Sequence, residues 1–427
     1  MIVAHEVIWE VAERLAESGI VDVPIGPNAG REFSFESTHE TRSLPLMPVA
    51  DRLAPFGVTI FTEMTQLAIE HDAINLGQGF PNWDGADFVK AAAAASMAEG
   101  GHDQYPPSPG IVPLREAIAR RYGPLLERNL DPSSEITVTC GCTEALAAGF
   151  LGLINPGDEV VIIEPYYDAY PVDAALAGAT PRYVALRAPD FALYPDELRS
   201  AFGPQTKAIV VNNPHNPTGR VFTTEELQAI ANLCIEFDAI ALCDEVYEEM
   251  TFEVAHQRLA TFEGMWERTL TLSSLGKTFS LTGWKLGWGI GPLDLTSGLR
   301  SAHQFLTFTT PTPVQHGAVA AMQAPESFYQ EMRLDYMGKR DLLATGLKSA
   351  GFEPHIPQGT YFLMAGHPAA VDDRRFCREL VVNAGVVTIP PSVFYNRPEQ
   401  GSGLVRFAFC KDEEVLQEAV ERLKAVS

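Results

Sequence analysis

The chain has 427 residues, 46% of them hydrophobic, enough to bury the core of one large domain and a smaller second one. Against 31 basic residues stand 55 acidic ones, a formal charge of −24, with no basic cluster, which argues against a nucleic-acid partner because such binding rests on phosphate neutralisation. No apolar run is long enough to span a bilayer, and the start lacks the basic-then-apolar pattern of a secretory leader, so the expectation is a cytoplasmic globular protein with no membrane role.

Residues 1–60 read as a lead-in and arm. Val7 to Leu15 suits a short amphipathic helix, and Pro24 to Pro48 is rich in Gly, Pro, Ser and charge. From about Asp131 short apolar runs alternate with helical stretches. Ile136 to Thr139 predicts a strand, Glu144 to Leu153 a helix, Asn155-Pro-Gly-Asp158 a turn, and Glu159 to Ile163 the next strand. Ala208 to Val211 is a further strand. Thr224 to Phe237 predicts a helix opened by a Thr-Thr-Glu-Glu start signal. Strands follow at Ala239 to Cys243, Thr269 to Leu272 and Leu286 to Ile290. Continuous Val/Ile runs between helices predict an α/β fold, its sheet mostly parallel and covered on both faces. Beyond residue 323, helices at Glu326 to Ala350, Arg374 to Asn383 and Glu413 to Ala425 flank short strands near Tyr361 and Val405, as in a small α+β domain.

Six cysteines are scattered, and Cys140-Gly141-Cys142 is the one close pair. No second pair or nearby histidine completes a zinc pattern, so they read as free thiols in a reducing compartment, with no metal.

Ligands of open α/β sheets bind outside the carboxyl ends of the strands. Three successive predicted strands are followed there by Asn212-Asn-Pro-His-Asn-Pro-Thr-Gly219, Asp244-Glu-Val-Tyr247 and Ser273-Ser-Leu-Gly-Lys277. An amide, an acid and an amine thus share one rim. Gly276-Lys277-Thr278 is no phosphate-binding P-loop, because Thr271 stands where that motif needs glycine.

Together with Gly283-Trp-Lys-Leu-Gly287, Asn75-Leu-Gly-Gln-Gly-Phe-Pro81 and Leu404-Val-Arg-Phe407, these segments resemble the class I aminotransferases of fold-type I, over a stretch from about Phe61 to the C-terminus. The resemblance is strongest to the subgroup of kynurenine, glutamine and methionine aminotransferases. Actinobacterial N-succinyldiaminopimelate aminotransferases are also similar. The fold implied is a large domain (86–322) around a seven-stranded sheet. A small C-terminal domain (323–427) completes it, joined by 61–85 at the substrate entry.

The resemblance implies pyridoxal 5′-phosphate as cofactor, with Lys277 as the Schiff-base lysine that also shuttles a proton. It implies Asp244 as the partner of the pyridine nitrogen, and Asn216 and Tyr247 as donors to the phenolate oxygen. Asn216-Pro217 is then a cis bond. Gly141, Cys142 and Thr143 at a helix N-terminus, with Ser274 and Lys285, would hold the phosphate, Cys142 through its backbone. Tyr167 would stack on the cofactor ring. Arg406 would clamp the substrate α-carboxylate through its planar fork. Gly79 and Phe61 would line the substrate entry. Tyr105 would reach the cofactor phosphate of a second copy, which implies a homodimer with shared sites.

The function so implied is ping-pong transfer of an amino group from an L-amino acid to a 2-oxo acid. Phe61, Phe80, Trp83, His303, Gln304, Phe305 and Phe308 are candidates for the side-chain pocket. Most are aromatic and no second arginine is among them, which favours apolar, aromatic, Met or Gln-like donors over Asp. An N-succinyldiaminopimelate donor would need a further cation. Elimination, cyclisation or oxidation on the same cofactor are alternative reactions. A non-enzymatic regulator would need a basic helix-turn-helix, and the lead-in offers none.

Overall fold

The computed structural model describes residues 49–57 and 59–425, and the expected helix at Val7 to Leu15 and arm at Pro24 to Pro48 lie outside them. Strands are numbered in chain order: β1 (Ile74–Asn75), β2 (Ile136–Thr139), β3 (Glu159–Glu164), β4 (Thr180–Ala185), β5 (Thr206–Asn212), β6 (Ile240–Asp244), β7 (Thr269–Ser274), β8 (Gly287–Ile290), β9 (Glu353–His355), β10 (Phe362–Gly366), β11 (Val386–Val387) and β12 (Leu404–Ala408).

Seven of them form one sheet in the order β2-β8-β7-β6-β5-β3-β4. The pairs from β4 across to β7 are parallel, while β8 runs antiparallel to both β7 and β2. The strand sequences explain why both faces are covered. Val160, Ile162, Ala208, Val210, Leu242 and Leu270 enter one buried cluster. Their chain neighbours Val161, Ile163, Ile209, Val211, Ala241 and Cys243 enter another on the opposite face. A period of two within an unbroken apolar run gives this arrangement.

Four of the expected strands extend or shift by one or two residues at an end, the strand expected from Leu286 begins at Gly287, and the helix expected from Glu144 begins at Gly141. The Thr224–Glu236 helix opens as expected, Thr223 and Glu226 closing a reciprocal capping box. The seventh strand, β4, was not among the sequence segments read as strands. It is an edge strand with an alternating polar face and Pro181, which cannot donate to a ladder, so its pattern is weak.

A three-stranded antiparallel sheet, β12-β10-β9, and the parallel pair β1-β11 lie outside the large sheet. β1 comes from the early chain and β11 from the late chain, so the segment after Asn75 is brought beside the C-terminal elements.

Candidate active site

Because β2, β3, β5, β6 and β7 run in one direction, their carboxyl ends share one edge, and antiparallel β8 starts there. The register places Asn212 beside Asp244, and Ser274 beside Gly287. A cavity of about 310 Å3 opens at this edge. Phe61, Gly79, Phe80, Gly141, Cys142, Thr143, Tyr167, Asn216, Asp244, Tyr247, Ser274, Lys277, Lys285 and Arg406 all line it. Fourteen residues scattered from 61 to 406 in sequence are thus brought to one place.

Lys277 follows β7 in a single helical turn, Leu275–Thr278. Burial lowers the pKa of its amine, partly opposed by Cys410 and Asp244, so the neutral form is favoured relative to a free lysine. Asp244, the last residue of β6, is also buried, and its carboxyl is raised by that burial. Three donors offset part of the cost. Tyr170 donates its hydroxyl to Oδ2 at 2.8 Å, the Cys142 thiol donates to Oδ1 at 3.5 Å, and the Val246 amide donates to Oδ1 at 3.4 Å. Cys142 therefore touches Asp244 through its side chain as well as lining the cavity. A role confined to its backbone is too narrow.

The loop after β5 is held by its own first residue. Asn212 accepts the Asn216 amide at Oδ1, 2.6 Å, and donates its own amide to the Asp244 carbonyl at 2.9 Å. Asn216-Pro217 is cis. Tyr247 meets Tyr361 edge to face, at 5.4 Å between centroids, and the Lys277 ammonium lies 5.6 Å from the Tyr247 ring. Behind this edge Arg258 binds the carboxylates of both Glu245 and Glu248, and Glu248 also accepts from Tyr122 and Ser273. That buried network fixes the residues following Asp244 against β7.

Gly141 opens the Gly141–Leu153 helix with φ +79°, and a β-carbon there would stand 3.3 Å from Lys285 Nζ. Lys285 itself takes a left-handed backbone, φ +48°. The first-turn amides of a helix have no intrahelical carbonyl, so beside the Lys285 ammonium and Ser274 they form a cradle for an anion. Gly287 permits the close approach, since a β-carbon there would fall 2.6 Å from the Cys142 nitrogen.

Arg406, on β12, is 2% exposed. Its guanidinium donates to Gly77 O at 2.7 Å and to Asn216 Oδ1 at 3.3 Å, and Phe362, Phe394 and Phe61 present rings within 5.4 Å. Its Nε has no partner among the described residues, and burial pulls its pKa down to about 10, which leaves it cationic at neutral pH. A buried cation with an unused donor invites a carboxylate. Among the described residues the cavity lining carries the basic side chains of Lys277, Lys285 and Arg406 against the one carboxylate of Asp244, a balance that suits anionic ligands.

Six expected residues are not in this cavity. His303 is fully buried between Glu144 Oε1 at 2.8 Å and the Ser108 carbonyl at 2.9 Å, so it is a core tie and not a pocket wall. Trp83 donates to Ser280 at 3.2 Å, and the Lys339 ammonium lies 3.9 Å from its ring. Gln304 and Phe305 sit on the exposed end of the Leu293–Leu306 helix, and Phe308 packs edge-on against Tyr105 on the surface. Tyr105 is likewise outside the cavity, 84% exposed. Sequence reading missed Tyr170, Asn212 and Phe362. Asn212 lay inside a quoted motif, and Tyr170 stands three residues beyond Tyr167, in the first turn of the Ala169–Ala177 helix.

Residues 71–423 match the family model described as aminotransferase class I and II. A probable N-succinyldiaminopimelate aminotransferase of Mycobacterium tuberculosis is 44% identical over 391 residues, covering 88% of this chain and 98% of the relative. A kynurenine–oxoglutarate transaminase of Dictyostelium discoideum is 40% identical over 408 residues, 86% of this chain and 94% of the relative. An Escherichia coli protein whose structure identified a methionine aminotransferase function superposes with a TM-score of 0.85 at 37% identity, over 89% of this chain and 100% of that one.

Proposed function

The chain belongs to the class I and II aminotransferases, and from that premise we propose that it holds pyridoxal 5′-phosphate at Lys277 and moves the amino group of an apolar, aromatic, Met- or Gln-like L-amino acid to a 2-oxo acid. The observation that carries this reading is the pairing of a buried amine and a buried guanidinium in one cavity. One is a lysine depressed by burial beside Asp244, and the other is an arginine with an unpartnered Nε.

The residues fit the cofactor. The Gly141 turn with Lys285 and Ser274 suits a phosphate, Asp244 a protonated ring nitrogen, and Asn216 and Tyr247 a phenolate oxygen. Tyr167 supplies a flat face. When bound, the cofactor provides an electron sink for the substrate and carries the amino group between the two half-reactions. Lys277 would hold it through Nζ, and the same nitrogen, when free, would move the donor's Cα proton. Its lowered pKa favours the free-base form that this needs. Asp244 keeps the ring-nitrogen proton in place, oriented by Tyr170 and Cys142. Arg406 binds the α-carboxylate, and the surrounding rings exclude water from it.

Among the described residues Phe61, Phe80 and Phe362 line the cavity, and no second arginine does. A side-chain carboxylate would lie there unpaired, which is the ground for proposing apolar donors. The 44% identity to a probable N-succinyldiaminopimelate aminotransferase favours a second donor class. We read 61–85 and 323–427 as one small domain, since β1 pairs with β11, and 86–322 as the large one. A cytoplasmic homodimer is part of the same reading. The test is Lys277→Ala with a donor panel of Asp, Phe, Met, Gln and N-succinyldiaminopimelate. Turnover should fall by roughly a thousandfold or more, as for loss of a group that both binds covalently and transfers the proton. Near-normal turnover in the variant removes the assignment. A lead of Asp or the succinylated donor by more than about tenfold removes the apolar-pocket reading.

A further inference from the structure

We infer that Lys411 fixes Phe80 over the mouth of the cavity relative to Arg406, and so sets which donor side chains are accepted, an inference that rests on reading the cavity as an aminotransferase substrate site. The chain leaves β1 at Asn75 and passes the cavity as Gly77 to Asn82, with Gln78, Gly79 and Phe80 on its wall. Its carbonyls are tied down in turn. Arg406 donates to Gly77 O at 2.7 Å, Tyr361 to Gly79 O at 2.6 Å, and Lys411 Nζ to Phe80 O at 2.7 Å. Next along, Asn82 and Asp412 exchange two bonds of 2.9 Å. Lys411 and Arg406 belong to the same stretch of chain, so clamp and rim share one mount.

The cost of placing lysine here is the telling point. Lys411 is 4% exposed and among the described residues has no carboxylate partner. Burying an ammonium for one carbonyl is expensive, and an apolar residue would fill the volume more cheaply. What the ammonium supplies is a double hold on Phe80. It binds the carbonyl, and it lies 4.4 Å from the centroid of the same residue's ring. Gly79 leaves no slack beside it, since a β-carbon there would fall 2.5 Å from the Phe362 ring. Phe80 itself is 44% exposed, so the wall on one side is free to meet a substrate.

The experiment compares wild type, Lys411→Met and Lys411→Arg as holoenzymes, with kcat and KM for Ala, Met, Phe and N-succinyldiaminopimelate. Lys411→Met should raise KM for Met and Phe about tenfold, with kcat and the KM for Ala within roughly twofold, since uniform binding is lost only where the side chain meets Phe80. Lys411→Arg should restore part of the Phe-to-Ala ratio, because it keeps the cation. If Lys411→Met does not fold, the Arg variant reads the same ratio through its displaced donor. An equal fall in kcat for every donor overturns the inference, because a merely structural role predicts it. A loss confined to the succinylated donor also overturns it, because Nζ would then be meeting a distal carboxylate directly. Wild type inactive with all four donors would instead remove the aminotransferase reading.

Discussion

Arg406 shows how a single residue can be read from sequence and still hold more than the sequence tells. A charged residue inside Leu404-Val-Arg-Phe407 is conspicuous, because an apolar strand has no use for one. Its unpartnered Nε and its three aromatic neighbours are visible only in three dimensions. Arg406→Lys keeps the charge but loses the planar fork, and kcat/KM should fall roughly a hundredfold for every donor, mainly through KM. A steady-state donor series checks it, and a fall confined to kcat contradicts the clamp. Asp244 gives a pH signature. Burial raises its carboxyl pKa, and cofactor binding needs the charged form, so affinity of the cofactor-free protein for pyridoxal phosphate should fall as pH drops through that pKa. Cys142 tunes the same limb. A hydrogen bond to the charged form lowers a carboxyl pKa, so Cys142→Ser, with a stronger donor, should shift the limb to lower pH, and Cys142→Ala should shift it higher. Equilibrium titrations across pH measure both, and shifts in one common direction would mean that only volume matters. The thiol's part was hidden from sequence because a small residue beside glycine looks like a space requirement alone.

At the level of elements, β3, β5 and β6 were legible as mostly apolar runs ending in polar residues, and β7 as alternating Thr and Leu running into Ser273-Ser274. β4 was not, since an edge strand with proline lacks that run. Periodicity alone started the helix after β2 at Glu144, while the resemblance put its N-terminus at Gly141, where it lies. That start packs closely on β8, where Gly287 lets the Cys142 nitrogen come close. His303 and Trp83 failed as pocket residues for a related reason. Aromatic type and position in sequence do not say which way a side chain points, and both are consumed by local partners. The Gly287 contact makes a sharp prediction. Gly287→Ala should cost about 1–3 kcal/mol of stability by overpacking and should weaken cofactor binding by displacing the anion cradle. Gly283→Ala, with nothing within 4 Å of its added carbon, should do neither. Thermal melts and cofactor titrations of the two variants decide it, and equal behaviour would contradict the packing account.

For the whole molecule, the exposed aromatics are the feature a single chain leaves unexplained. Tyr105 and Phe305 are 84% and 85% exposed, and Phe308 packs edge-on against Tyr105. A homodimer that buries them follows from the proposed function, and light scattering should give twice the chain mass of 46.6 kDa. Tyr105→Ala should weaken cofactor retention on dilution more than it changes the melting temperature. A fully active monomer contradicts shared sites. The most direct measurement concerns the transferred nitrogen. Purified enzyme loaded with pyridoxal phosphate is given 15N-labelled methionine or phenylalanine and an unlabelled 2-oxo acid, and the products are followed by mass spectrometry. Labelled amino acid should form from the acceptor in one-to-one ratio with the donor's 2-oxo acid, and Lys277→Ala should abolish both. Consumption of the donor with release of labelled ammonia, and no label in the acceptor, would show a different reaction at this site.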